Sequence, residues 1–193
     1  MLKRIQDLEL SSTQLLGHIP EEIRNCSQLQ YLYLYSTLIS GPIPTRIGSC
    51  KKLIFIDVST NLLTGNILRS FGKLMKLQEV YLLDNFLTGS ISRSFGKLMK
   101  LQDLRLGNNS LGAIPDYFVN YTELTNLDIS RNLIIGSMPR SFGKLVKLQT
   151  LNLAFNRLSG IIPVEIVNCT ELTHLYLHNN QFSGEIPIGP VEI

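Results

Sequence analysis

The sequence predicts an α/β solenoid: a right-handed superhelix of about eight 24-residue repeats, with a parallel β-sheet on the concave side and short 3-10 or irregular turns on the convex side. Three observations carry this. The first apolar position of the unit recurs at Ile5, Leu29, Leu53, Leu77, Leu101, Leu124, Leu148 and Leu172, each step being 24 residues except one of 23. Each unit opens L-x-x-L-x-L, in which the last two apolar residues alternate with polar or aromatic ones, as a strand with one buried face requires. Each then runs through a variant of L-x-G-x-I-P before the next begins. One coil cannot bury its own leucines, whereas stacked coils cover one another and make the core continuous.

Residues 148–171, LQTLNLAFNRLSGIIPVEIVNCTE, give the unit in full. Leu148, Leu151 and Leu153 set the strand. Asn156 then turns the chain, and its amide is placed to bond exposed backbone groups of the neighbouring coil, one rung of a ladder through Asn61, Asn85, Asn109, Asn132, Asn156 and Asn180. Thr13 and Thr37 hold that place in the first two repeats, which predicts a weaker ladder there. Gly160 eases the bend, Pro163 declines a ladder position, and Ile166 sits on the short return turn. The 23-residue step arises in NNSLGAIP, where Leu111 is followed directly by Gly112. Two repeats carry Leu68 and Ser92 in place of the proline. The stretch RSFGKLMKLQ occurs identically at 69–78 and 93–102, and nearly so at 140–149, which points to internal duplication rather than to a site.

Cys26, Cys50 and Cys169 occupy the slot that Leu74, Leu98 and Leu145 fill elsewhere, so they are expected as buried small apolar residues. Cys26 and Cys50 lie one coil apart, close enough for a disulfide, but parallel side-chain directions argue against it. No metal-ligand spacing occurs. His18, His174 and His178 are dispersed between the two ends of the chain, and neither a triad nor a zinc site follows from them. No cofactor is implied.

The whole chain, 1–193, reads as a single repeat domain without recognisable amino- or carboxyl-terminal caps, as in an excerpt of a longer array or a truncated relative of one. A composition of 44% hydrophobic and 17% charged residues is ordinary for a folded protein that buries a core. No apolar run approaches the roughly 18 residues of a membrane span. The opening MLKRIQDLELSS is already a repeat, so no secretory signal peptide is expected, and the chain closes on an atypical tail, IGPVEI. Uncapped solenoid ends predict self-association or low stability.

The L-x-G-x-I-P form resembles the plant-specific class of leucine-rich repeats found in receptor-like kinases, receptor-like proteins and polygalacturonase inhibitors. LKRIQDLEL, IPEEIRNCSQLQYLYLY, GSMPRSFGKLVKLQTLNL and IPVEIVNCTELTHLYLHNNQFSGEIP resemble the middle of the ectodomain in subfamily XI of plant receptor-like kinases, whose members perceive small secreted peptides. The resemblance covers essentially the whole chain. It implies a ligand-binding module that recognises an extended peptide or a protein, with a co-receptor engaged along an edge, at the extracellular face of the plasma membrane or in the apoplast. The Arg-x-Arg with which several members hold a peptide's terminal carboxylate is absent. So are a glycine-rich nucleotide loop, H-R-D and D-F-G, and the chain is expected not to be an enzyme.

Side chains between the strand leucines point out of the core on the concave side. One column reads Asp7, Tyr31, Phe55, Glu79, Asp103, Asn126, Thr150 and His174; the next reads Glu9, Tyr33, Asp57, Tyr81, Arg105, Asp128, Asn152 and Tyr176. Further columns add Tyr35, Asp84, Arg131, Phe155 and His178. Candidate ligand-binding residues are Tyr31, Tyr33, Phe55, Asp57, Glu79, Tyr81, Asp103, Arg105, Asp128, Arg131 and Tyr176. Eight strands about 4.8 Å apart span roughly 34 Å, the length of an extended ten-residue peptide. The columns hold seven acids, Asp7, Glu9, Asp57, Glu79, Asp84, Asp103 and Asp128, against Arg105 and Arg131, although the chain as a whole is +3. A cationic, partly apolar ligand is the expected partner. The plainer reading is that strands favour Tyr and Phe and that acids keep the face soluble.

The return side is correspondingly basic, its three R-S-F-G-K-L-x-K copies supplying nine of the eighteen Lys and Arg residues. These lysines are spread over separate coils and interleaved with core Phe and Leu, so a solvated outer surface, rather than a nucleic-acid or membrane contact, is expected. Sequons fall at Asn25, Asn108, Asn120 and Asn168, three of them in one register on the return side. They favour a cell-surface origin; a chain without a signal peptide would instead stay in the cytosol with none used. The alternative functions are a free-standing inhibitor that docks a folded wall-degrading enzyme and, more remotely, ice binding, which would need a uniform ladder of small polar residues.

Overall fold

The computed structural model describes residues 3–115, 118 and 120–188, so the last residues of the IGPVEI tail lie outside the described region. The inner strands form as the alternation predicts: Asp7–Glu9, Tyr31–Tyr33, Phe55–Asp57, Glu79–Tyr81, Asp103–Arg105, Asn126–Asp128, Thr150–Asn152 and His174–Tyr176. They pair in chain order in one parallel eight-stranded sheet. Register is one to one, with Tyr33 beside Asp57, Asp57 beside Tyr81 and Tyr81 beside Arg105. The 23-residue step does not disturb it, since Arg105 still sits beside Asp128. The deletion falls after the strand and is absorbed on the outer side of the coil.

What that outer side contains goes beyond the expectation of irregular turns. The L-x-G-x-I segments extend and pair as well, into a five-stranded parallel sheet ending at Ser110–Leu111 and a three-stranded one beginning at Ile135–Ser137. The gap between the two coincides with the short repeat. Gly41, Gly65, Gly89, Gly136 and Gly160 all turn the chain at φ of 74 to 94°, but Gly112, having lost its spacer, does not. Six 3-10 turns follow among the described residues, of which Arg69–Lys73, Arg93–Lys97 and Arg140–Lys144 are the RSFGK copies.

The core is three columns deep. Leu29, Leu53, Leu77, Leu101, Leu124 and Leu148, with the strand leucines beside them, are fully excluded from solvent. On the return side Phe71 packs on Phe95 with ring centroids 5.2 Å apart, and Phe118 lies 5.7 Å from Phe142. Each such side chain contributes about 2 kcal/mol by burial, and the column, not any one coil, realises it.

The asparagine ladder forms in the predicted way. Asn85 Oδ1 accepts from Leu63 N–H at 3.0 Å, and its Nδ2 donates to the carbonyl of Val58 in the preceding coil at 3.0 Å and to those of Leu82 and Leu83 in its own. Asn61, Asn109, Asn132, Asn156 and Asn180 repeat the pattern. Thr13 and Thr37, with one hydroxyl each, reach the carbonyls of Leu10 and Leu34 within their own coils. The ladder is thinner there, as expected.

The residue before each rung is left-handed in all eight coils, with φ of 50 to 55° at Ser12, Ser36, Thr60, Asp84, Asn108, Arg131, Phe155 and Asn179. Asp, Asn and Ser tolerate this; β-branched Thr60 does not tolerate it well. Thr60→Asn is therefore expected to stabilise the protein by about 1 kcal/mol, read as a rise in the urea midpoint.

Cys26, Cys50 and Cys169 are free and buried, as predicted. Burial, with a smaller repulsion from Cys26, pushes the Cys50 thiol up to about 11, and its S–H faces the Ile23 carbonyl at 3.4 Å. Cys50 should resist alkylation at pH 8 in the folded protein and react at once in denaturant, a difference that mass spectrometry of labelled peptides would register.

Candidate ligand-binding face

The inner sheet presents two columns per coil to solvent, and the structure joins the middle of the face into one network. Tyr33 and Phe55 lie 4.8 Å apart, Phe55 meets Tyr81 edge-on at 5.2 Å, and the Arg105 guanidinium covers the Tyr81 ring at 4.6 Å. Beneath the rings the polar atoms are paired. The Tyr81 hydroxyl donates to Glu79 Oε2 at 2.6 Å and lies 3.1 Å from Asp103 Oδ2. Arg105 grips Asp103 with Nε and a terminal nitrogen, the latter at 2.8 Å, and Asn126 donates to the other Asp103 oxygen at 2.9 Å. Six candidate residues from coils two to five thus share one half-buried cluster, held by side chains on adjacent strands.

Burial first, then the hydrogen bond to Glu79 and the charge of Asp103, hold the Tyr81 phenol far above its ordinary range, with Arg105 opposing. The bond to Asp103 likewise raises Arg105, which is fixed as a cation in any event. Tyr33 is raised by burial and by Asp7 and Glu9. Tyr33 and Tyr81 are thus held as neutral phenols and Arg105 as a cation, so what they offer is a rigid surface of ring faces and charge.

Asp57 and Asp128 carry a second duty that spacing did not signal. Asp57 Oδ1 accepts from Ser59 N–H at 2.9 Å, Asp128 Oδ1 from Ser130 N–H at 2.9 Å, and Glu9 Oε1 from Ser11 N–H at 3.0 Å. The acid of this column satisfies the amide two residues on, where the chain leaves the strand. One oxygen of each of these acids is therefore occupied.

Arg131 and Tyr176 lie apart from the central cluster. Arg131 stacks on Phe155 at 4.2 Å, and Phe155 meets His178 at 5.0 Å; Tyr176 stacks with His174. These make a second, smaller aromatic group in the last three coils. Tyr31 is half-buried on the first column, without a ring contact to either group among the described residues. No group of three or more His, Cys, Asp or Glu residues able to hold a metal occurs among the described residues.

Family models described as leucine rich repeat match residues 76–134, 122–182 and 4–26. The chain belongs to the leucine-rich repeat family. Among solved structures it is similar to the plant peptide hormone receptor RGFR1 in complex with RGF2, at 45% identity and a TM-score of 0.94 over 96% of this chain. It is also similar to PEPR1 in its complex with AtPEP1, at 33% identity and 0.94 over 97%. The chain spans 30% and 27% of those two chains. A curated relative, Receptor-like protein kinase 7 of Arabidopsis thaliana, is 61% identical over 33 residues, 17% of this chain and 3% of that protein.

On this leucine-rich repeat scaffold the four sequons separate into two settings. Asn25, Asn120 and Asn168 are exposed on the return side, away from the inner sheet, with Asn120 Nδ2 donating to the Gly96 carbonyl at 3.2 Å. Asn108 occupies the left-handed turn at the inner sheet's margin and donates Nδ2 to Asp84 Oδ1 at 2.6 Å, so its amide is already engaged. No helix among the described residues is long and apolar enough to cross a membrane.

Proposed function

We propose that this chain is the ligand-binding part of a plant peptide receptor's leucine-rich repeat region, and that its concave face receives an extended, cationic peptide. The observation that carries the reading is the ring-and-carboxylate cluster of Tyr33, Phe55, Glu79, Tyr81, Asp103 and Arg105, immobilised yet open to solvent. Preorganised aromatic faces lose little entropy when a ligand lies across them. Because Arg105 is matched by Asp103, the acids Asp7, Glu9, Asp57, Glu79 and Asp84 leave the concave face of the first four coils negative, which attracts and orients a basic peptide. Arg131 and Tyr176 belong to the exit end of the same path. The likeness to RGFR1 and PEPR1, described with peptide partners, supports the reading.

A second protein docks, on this reading, on the lateral sheet, where Leu38, Leu62 and Phe86 are about half exposed in one column. The setting is extracellular, with glycans on Asn25, Asn120 and Asn168 pointing away from the ligand path.

The test is binding of a secreted plant peptide library to the purified chain and to a variant carrying Asp57→Asn, Tyr81→Ala and Arg105→Ala. Asparagine keeps the acceptor for Ser59 N–H, so circular dichroism should match the parent. Saturable binding by the parent, weakened at least tenfold in the folded variant, is expected. Equal binding by both would move the ligand off the inner sheet.

A further inference from the structure

The three RSFGK copies are alike in sequence and unlike in surroundings. In the last, Arg140 pairs with Glu165 at 3.3 Å and Lys147 with Glu123 at 2.8 Å. Among the described residues the first two have no such partner, and the chain contains no Asp or Glu from 23 to 56, from 58 to 78 or from 85 to 102. Coil two adds Arg46, Lys51 and Lys52 to the same outer surface. Three successive coils therefore expose three cations each with no acid among them. The interleaved Phe and Leu residues, which on sequence grounds broke this surface up, all point into the core.

A groove of about 840 Å³ opens at the centre of this surface, between coils three and four. Arg69, Arg93 and Lys97 line it, with Asn66, Ser90 and Ser94 supplying amide and hydroxyl groups between them. It opens where Leu68 and Ser92 stand in place of the usual proline. The exposed sequons of the return side sit at Asn25, Asn120 and Asn168, in coils one, five and seven, while the same register holds Ser49, Lys73 and Lys97 in coils two to four. Glycans at those sequons would border the basic surface and leave it uncovered.

We propose that the outer face of coils two to four binds a linear anionic polysaccharide, whose successive acidic groups are met by Arg69 and Arg93 one coil apart and by Lys97. Guanidinium forks bind carboxylate or sulfate oxygens in pairs, and the hydroxyl and amide groups between them match a hydroxyl-rich polymer. Among the described residues no aromatic ring lines the groove, and stacking on rings is what single-stranded nucleic acid would ask of it. This site is on the opposite face from the peptide path and stands or falls separately from it.

The test titrates the chain with polygalacturonate, dextran sulfate and neutral dextran, and with a DNA oligonucleotide and phosphatidylserine vesicles. Two variants remove the same charge: Arg69→Ala/Arg93→Ala/Lys97→Ala, and Arg140→Ala/Lys144→Ala/Lys147→Ala in the copy already neutralised. Circular dichroism establishes that both fold. Salt-sensitive binding of an acidic polysaccharide, reduced about tenfold in the first variant and less than twofold in the second, is expected. Preference between polygalacturonate and dextran sulfate assigns the anion as carboxylate or sulfate. Equal losses in the two variants, no binding, or tighter binding of DNA or vesicles than of either polysaccharide would overturn the proposal.

Discussion

Asn85→Ala is expected to destabilise the protein by about 3–5 kcal/mol and to split its unfolding into two steps. The side chain is 7% exposed and serves one backbone N–H and three carbonyls. Alanine leaves Leu63 N–H without its side-chain acceptor and takes from the Val58 carbonyl one of its two donors, the other being Asn61 Nδ2. The unpaired N–H costs about 1–3 kcal/mol, the lost bonds to three carbonyls add roughly 1 kcal/mol each at most, and the loss falls on the junction between coils three and four. A solenoid is held together by neighbour contacts, so weakening one junction in the middle uncouples the two halves. Urea unfolding followed by circular dichroism should change from one transition to two. Thr37→Val, at the equivalent place in coil two, should cost less, since that hydroxyl serves the Leu34 carbonyl and Asn61 Oδ1 alone.

Gly143→Ala should cost about 3 kcal/mol although the return turn it occupies has ordinary backbone angles. A Cβ there would stand 2.2 Å from the Glu165 carbonyl oxygen of the next coil, and at Gly72 it would stand 2.3 Å from that of Ser94. A backbone oxygen cannot rotate aside, so the coils themselves must separate, and the Phe142 column loses its packing. Thermal unfolding should show the loss. Gly136→Ala, with nothing within 4 Å but a left-handed φ of 94°, separates steric crowding from backbone strain and should cost about 1 kcal/mol.

The inner sheet was legible because its cause is periodic. Leu151 is apolar every 24 residues for the same reason each time, and pairing in register follows from equal repeat lengths. The ladder was legible because an amide at a fixed place in every turn has one purpose that repeats. The lateral sheets were not, since L-x-G-x-I carries a glycine and a proline that read as turn residues, and the pairing of these short segments comes only from stacking. The inner columns were identified residue by residue, but their relationships were not. Asp57 and Tyr81 look alike as exposed strand residues; one caps Ser59 N–H and the other ties Glu79 to Asp103. The outer cations were counted but not weighed, because ion pairs with Glu123 and Glu165 form between residues 24 and 25 positions apart.

By itself the sequence determined the coil: its length, its buried columns, its asparagine rung and the side chains each strand turns outward, all of which are local or strictly repeated. Only the tertiary structure decided which outward residues act together. Neighbours across a coil lie 21 to 27 residues apart, and whether Arg105 meets Asp103, or Arg140 meets Glu165, depends on rotamers and on what the adjacent coil happens to place beside them.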